Sequence, residues 1–104
     1  MLTRVDFPPK PSASTESYSV DFTDAIPAGD SISTKSVSAS TYSGTDASPS
    51  AIISGSASSS GTIVTQKVTA GTEGVMYKLT WTVVTANALT LVKTGFLAIV
   101  PGGV

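Results

Sequence analysis

One stretch decides the fold of this chain: residues 76–84, with the sequence MYKLTWTVV. Its large apolar side chains share one parity: Tyr77, Leu79, Trp81 and Val83. The residues between them are mostly polar, Lys78, Thr80 and Thr82. A period of two is typical of a β-strand with one buried face, and a helix does not produce it. Because Trp81 is the only tryptophan, we predict that the core forms around it.

The composition extends this prediction to the whole chain. The 104 residues are 40% hydrophobic and only 12% charged, and about a third are serine or threonine. Threonine, valine, isoleucine and aromatic residues favour strands, whereas serine, glycine and proline favour turns. A chain of this length forms one domain and can bury most of its apolar surface. The sequence therefore predicts a single all-β domain.

Further strand-like segments flank the central stretch, at residues 17–22, 31–41, 51–54, 62–69 and 89–100. The first of them alternates as well and adds Tyr18, Val20 and Phe22 to the predicted core. Short strands at roughly ten-residue spacing predict an immunoglobulin-like β-sandwich of six to seven short antiparallel strands. The paired cysteines of antibody domains are absent, so only the architecture is indicated.

The connections give more specific expectations. The apolar parity changes within residues 31–41, which predicts a β-bulge near Lys35. Residues 56–61 are serine-rich and predict an exposed loop. Two glycines within residues 70–74 predict a tight hairpin, with at least one positive φ, leading into the central strand.

The N-terminus predicts an extended arm over residues 1–15, followed by the sandwich over residues 16–104. Pro8, Pro9 and Pro11 fix φ and favour an extended polyproline conformation. An unstructured terminus is the alternative. If the arm docks on a neighbouring subunit, its candidate contact residues are Leu2, Phe7, Pro8, Pro9, Lys10 and Pro11.

The residue inventory argues against catalysis. The chain has no histidine and no cysteine, so the usual imidazole base, thiolate nucleophile and zinc ligands are missing. A formal net charge of −1 without a basic patch argues against nucleic-acid binding. No run of apolar residues suggests a signal peptide or a membrane helix. We expect no cofactor, and synthesis in the cytoplasm.

Two binding alternatives remain open. Asp21, Asp24 and Asp30 could hold calcium, although aspartates near turns more commonly bond their own backbone. Aromatic residues could stack on a sugar, and Tyr42, which we expect in a flexible loop, is the best placed to do so. Tyr42 is therefore also a candidate contact residue.

Several motifs, in this order and spacing, resemble the small fibre–tail adaptor proteins of tailed phages. They are FPPK at 7–10, YSVDF at 18–22, AGDSI at 28–32, VTAGTEGVMY at 68–77 and LTWTVVT at 79–85. The resemblance covers nearly the whole chain, apart from the Ser/Thr-rich residues 43–61. A family turn bearing glycine and arginine is replaced here by residues 85–90, TANALT.

This resemblance implies a non-catalytic virion protein that joins neck or tail components, for example a fibre or collar to the head–tail junction. Its partners would be other virion proteins, with several copies arranged in a ring. The alternatives are an immunoglobulin-like adhesive or carbohydrate-binding module, and a capsid decoration protein.

Overall fold

The computed structural model describes residues 4–100, and they are all-β, as the alternating pattern predicted. The strands are β1 (Arg4–Asp6), β2 (Lys10–Pro11), β3 (Thr15–Asp21), β4 (Ile32–Ser43), β5 (Ile53–Ser60), β6 (Ile63–Thr69), β7 (Met76–Thr85) and β8 (Thr90–Val100). A 3-10 turn, Pro49–Ile52, precedes β5. Within this part of the chain, no helix has the length and apolar character needed to cross a membrane.

The strands form two sheets. The larger has the order β1-β8-β7-β4, with β2 also pairing β8, and the smaller has the order β3-β6-β5. All pairings among β3 to β8 are antiparallel. The arm strands β1 and β2 instead run parallel to β8, so the prediction of antiparallel strands holds only for the body of the domain.

The core lies between the two sheets. From the larger sheet, Tyr77, Leu79, Trp81 and Val83 enter it with no exposed surface. From the smaller sheet come Tyr18, Val20, Val64 and Val68, and Phe22 follows directly after β3; all five are buried. The Trp81 indole Nε1–H donates to the Val64 carbonyl across the layer at 3.2 Å. The central strand is thus attached to the opposite sheet by both packing and a buried hydrogen bond.

The serine-rich segment differs from the prediction. Residues 56–60 belong to strand β5 and are not a loop; they pair with β6, for example Ser58 with Thr65 and Ser60 with Ile63. The predicted strand at 51–54 is part 3-10 turn and part strand. Small polar residues form a strand here because a neighbouring strand supplies hydrogen-bond partners, which local propensity does not report.

The predicted hairpin at residues 70–74 is wrong. Both edges of β6 are already paired, with β3 and β5, so the chain leaves the smaller sheet and crosses to the larger one. The predicted positive φ is present, at Ala70, Gly71 and Gly74. At Gly71 a Cβ would also come within 2.8 Å of Ile99 Cγ1. The glycines therefore serve a tight crossover between sheets.

Trp81→Ala should lower the free energy of unfolding by about 3–5 kcal/mol, because it leaves a large cavity between the sheets. Val92→Ala is a suitable control, since Val92 lies on the adjacent strand and is 47% exposed. Its effect should stay within about 0.5 kcal/mol. Urea unfolding of both variants measures the difference, and equal midpoints would contradict the central role of Trp81.

Candidate interaction surfaces

The N-terminal arm packs against the body of its own chain. Its described part, residues 4–11, is called the docked arm below. The pairs Arg4–Thr94, Val5–Gly95 and Asp6–Phe96 set the register on β8, followed by Lys10–Ile99 and Pro11–Val100. Between the two short strands, the Phe7 N–H donates to the Phe96 carbonyl at 3.0 Å. The docked arm therefore covers the outer edge of β8.

Phe7 is the aromatic anchor of the docked arm. Its ring centroid lies 4.9 Å from that of Tyr18 and 5.6 Å from that of Trp81, both with tilted planes. The ring fills space left by the missing side chain of Gly95, where a Cβ would overlap Phe7 Cε2 and approach Cδ2 to 3.1 Å. Gly95 thus forms a socket for Phe7, called the Gly95 socket below. Glycine inside a strand often marks such a close approach.

Lys10 is the second anchor, and its side chain is fully buried. Its Nζ donates to the carbonyls of Pro11 at 2.8 Å and Ala70 at 2.7 Å. Burial lowers the pKa of the ammonium group, and the nearby Glu16 carboxylate opposes this shift. The two carbonyls compensate part of the cost of removing the charge from water. Lys10 therefore ties the docked arm to the crossover at residues 70–74.

The predicted contact residues of the arm differ in their exposure. Phe7 and Lys10 face their own domain in this conformation, whereas Pro8 and Pro9 are exposed and Pro11 is partly buried. Leu2 lies outside the described residues. The Gly95 socket and the burial of Lys10 were not anticipated from the sequence; a glycine in the interior of a strand was the available signal.

Tyr42 lies near the end of β4 and not in a loop. It is 58% exposed, and its ring meets that of Phe96 edge-on, with centroids 4.7 Å apart. Tyr18, Tyr77 and Trp81 are buried and have no face available to a sugar. Tyr42 therefore contacts one buried ring, that of Phe96, and does not share an exposed platform with Tyr18, Tyr77 or Trp81.

The outer face of strands β4, β7 and β8 is a second surface, called the Ser/Thr face below. It comprises the residues that alternate with the buried row: Thr34, Ser36, Ser38, Ser40, Tyr42, Met76, Lys78, Thr80, Thr82, Val84, Thr90, Val92, Thr94, Phe96 and Ala98. Lys78 is its one charged residue. A surface designed to stay in water usually carries charge at roughly a quarter to a third of its positions. The face is thus unusually poor in charge for a solvated sheet.

The three aspartates considered as calcium ligands have other partners. Asp21 Oδ1 accepts hydrogen bonds from Thr23 and Thr62, which lower the pKa of the carboxyl. Asp24 pairs with Lys93, whose Nζ also donates to the Asp21 carbonyl at 2.8 Å. Asp30 accepts from the backbone of Ser31 and Asn87. Within residues 4–100, no group of potential ligands has the arrangement of a metal site.

Phe7→Ala should reduce the free energy of unfolding by about 2 kcal/mol, less than for a fully buried ring because Phe7 is only partly buried. Gly95→Ala should cost about 1–3 kcal/mol, since its methyl group displaces the ring. In the double variant the methyl group has room. The loss of stability in the double variant should therefore be at least 1 kcal/mol smaller than the sum of the losses in the two single variants. Urea denaturation of the four proteins provides the cycle, and additive losses would contradict the socket.

Comparison with known proteins identifies the family. A family model described as podophage GP4 fiber-tail adaptor protein gp77 matches residues 10–97, which include the five strands β3 to β7 and most of β8. Searches of curated proteins and of solved structures found no match. The assignment agrees with the resemblance seen in the sequence motifs. The chain belongs to the podophage fibre–tail adaptor family and is a non-catalytic structural component of the virion tail.

Proposed function

We propose that copies of this adaptor assemble side by side in a ring, and that each presents its Ser/Thr face to a tail or fibre protein. The observation that carries the proposal is the low charge of this face, with Lys78 alone among its residues. Charged residues are depleted at the centres of protein interfaces, and tyrosine is enriched there. Tyr42 and Val92, both about half exposed, supply apolar contact area on the same face.

Symmetry indicates which protein binds the Ser/Thr face. If the Ser/Thr face met the same face of a second copy, the contact would be isologous and would close a dimer. A ring requires two different surfaces on each copy. We therefore assign the Ser/Thr face to a different virion protein and the contacts between copies to the edges of the domain. The division into an arm over residues 1–15 and a sandwich over residues 16–104 is part of this proposal.

An immunoglobulin-like topology is also part of the proposal. If β3 to β8 are read as strands B to G, the pairings β3-β6-β5 and β4-β7-β8 correspond to B-E-D and C-F-G. Near the start of β7, the Tyr77 hydroxyl accepts from the Thr72 N–H at 2.8 Å, in the manner of a tyrosine corner. The same hydroxyl donates to the Asp46 carboxylate at 2.5 Å. These features support a rigid sandwich used as a spacer, with extents of 45 × 21 × 21 Å.

A charge placed on the Ser/Thr face should reduce incorporation into particles. Ser38 pairs with Thr80 at the middle of the face, and its side chain is exposed. Because a buried unpaired carboxylate is costly, Ser38→Glu should lower the number of adaptor copies per particle at least tenfold. Quantitative mass spectrometry of purified particles measures the copy number.

Ser58→Glu is the matched control. Ser58 is also an exposed serine in a strand, but it lies in the smaller sheet. This variant should be incorporated like the native chain. Melting temperatures of both purified variants should be close to that of the native protein. Equal incorporation of the two variants would contradict the assignment of the Ser/Thr face.

A further inference from the structure

We propose that the docked arm is exchangeable, so that in the assembled adaptor it lies on β8 of a neighbouring copy, with Phe7 in that neighbour's Gly95 socket. The inference rests on the proposed function because it requires copies to lie side by side. It adds the specific contact that would join them. The occupant of the β8 edge would then be the N-terminal arm of a second copy of this chain.

Nearly all contacts of the docked arm are made with the body of the domain. They are the parallel pairings with β8, the rings of Tyr18 and Trp81 around Phe7, and the bond from Lys10 to the Ala70 carbonyl. A second copy offers an identical edge, socket and carbonyl. Exchange therefore retains these contacts and changes only which chain supplies the arm.

Residues 12–14 form the hinge that such an exchange requires. Ala13 is exposed, and Ser14 turns the chain by donating from its N–H and its hydroxyl to the Pro11 carbonyl at 3.1 and 3.0 Å. Opening the hinge breaks this turn and the bond from the Ser12 N–H to the Val100 carbonyl, but none of the pairing between β3 and β6. Three extended residues span at most about 10 Å, so the arm can reach only a copy in direct contact.

The three prolines favour binding by a released arm. Pro8, Pro9 and Pro11 restrict φ and keep the undocked segment close to the extended conformation that it adopts on β8. Less conformational entropy is therefore lost when the arm docks on another copy. In a closed ring, neighbouring sockets also remain at high effective concentration.

The geometry of the exchange suits a ring. The donating surface is the arm and the accepting surface is the β8 edge, so the contact is heterologous when each copy passes its arm to the next. Such contacts close into rings if the rotation between copies permits.

Disulfide trapping tests the exchange directly, because the native chain contains no cysteine. Arg4 and Thr94 are register partners in the parallel strands β1 and β8, and cysteines placed at two such partners are close enough to form a disulfide. In particles carrying Arg4→Cys/Thr94→Cys, oxidation should link most of the adaptor into species of two or more chains on a non-reducing gel. A single band at the mass of one chain, whether or not its cysteines are oxidised, would overturn the exchange.

Mixed samples give an independent result. When chains carrying only Arg4→Cys are combined with chains carrying only Thr94→Cys, a disulfide between the two positions requires exchange. Trapping is carried out in particles and in the concentrated purified protein. Linkage in either sample supports the proposal, and its absence from both overturns it.

Two further variants serve as controls. Adding Gly95→Ala blocks the socket and should reduce linkage at least fivefold, whereas Ser58→Ala, at an exposed position of the smaller sheet, should leave it unchanged. Reducing gels show separately whether the adaptor is present in particles. Adaptor that is present but not linked between chains contradicts the exchange alone, whereas absence of the native adaptor from particles contradicts the proposed function.

Discussion

The structure depends on the burial of Trp81 between two sheets. The indole packs in the layer without exposed surface and donates across it to the Val64 carbonyl. Full burial of such a side chain is among the largest single contributions to the stability of a small domain. Lys93 adds a polar link between the sheets, from β8 to the end of β3, with its Nζ 5.4 Å from the centroid of the Phe22 ring. These contacts hold together two sheets that share no strand pairing.

The docking of the arm follows from the same core. Phe7 packs against Trp81 and Tyr18, which belong to opposite sheets, and it reaches them through the Gly95 socket. The arm is therefore anchored at the junction of the two layers, although its backbone pairs only with β8. For an adaptor this arrangement separates two tasks. In the proposed assembly, the sandwich supplies a rigid body with a face of low charge, and the arm supplies a contact either to its own domain or to that of a neighbouring copy.

Much of the fold could be predicted because the apolar side chains of residues 76–84 are large and alternate without interruption. The bulge expected near Lys35 lies close by, between Ile32 and Thr34. A change of parity shows that a bulge is present but does not fix the residue at which it occurs. Residues 56–60 have small polar side chains, so they form a strand only because they pair with β6. This pairing cannot be read from the local sequence. Buried Lys10 and Lys93 could not be foreseen, because their partners are carbonyls and a carboxylate brought together only by folding. The exposure of Phe7 and Tyr42 depends on the same long-range packing, so the sequence alone does not report it.

The central claim is that a rigid sandwich built around Trp81 carries an arm that can undock without unfolding it. Native-state hydrogen exchange, resolved by residue, tests this most directly. The amides of Trp81 and Val83 in β7 should exchange only through global unfolding. The amides of Phe7 and Ser12, which bond to the β8 carbonyls of Phe96 and Val100, should exchange at least a hundredfold faster. Equal protection of the arm and β7 across denaturant concentrations, so that both open in one step, would contradict the account.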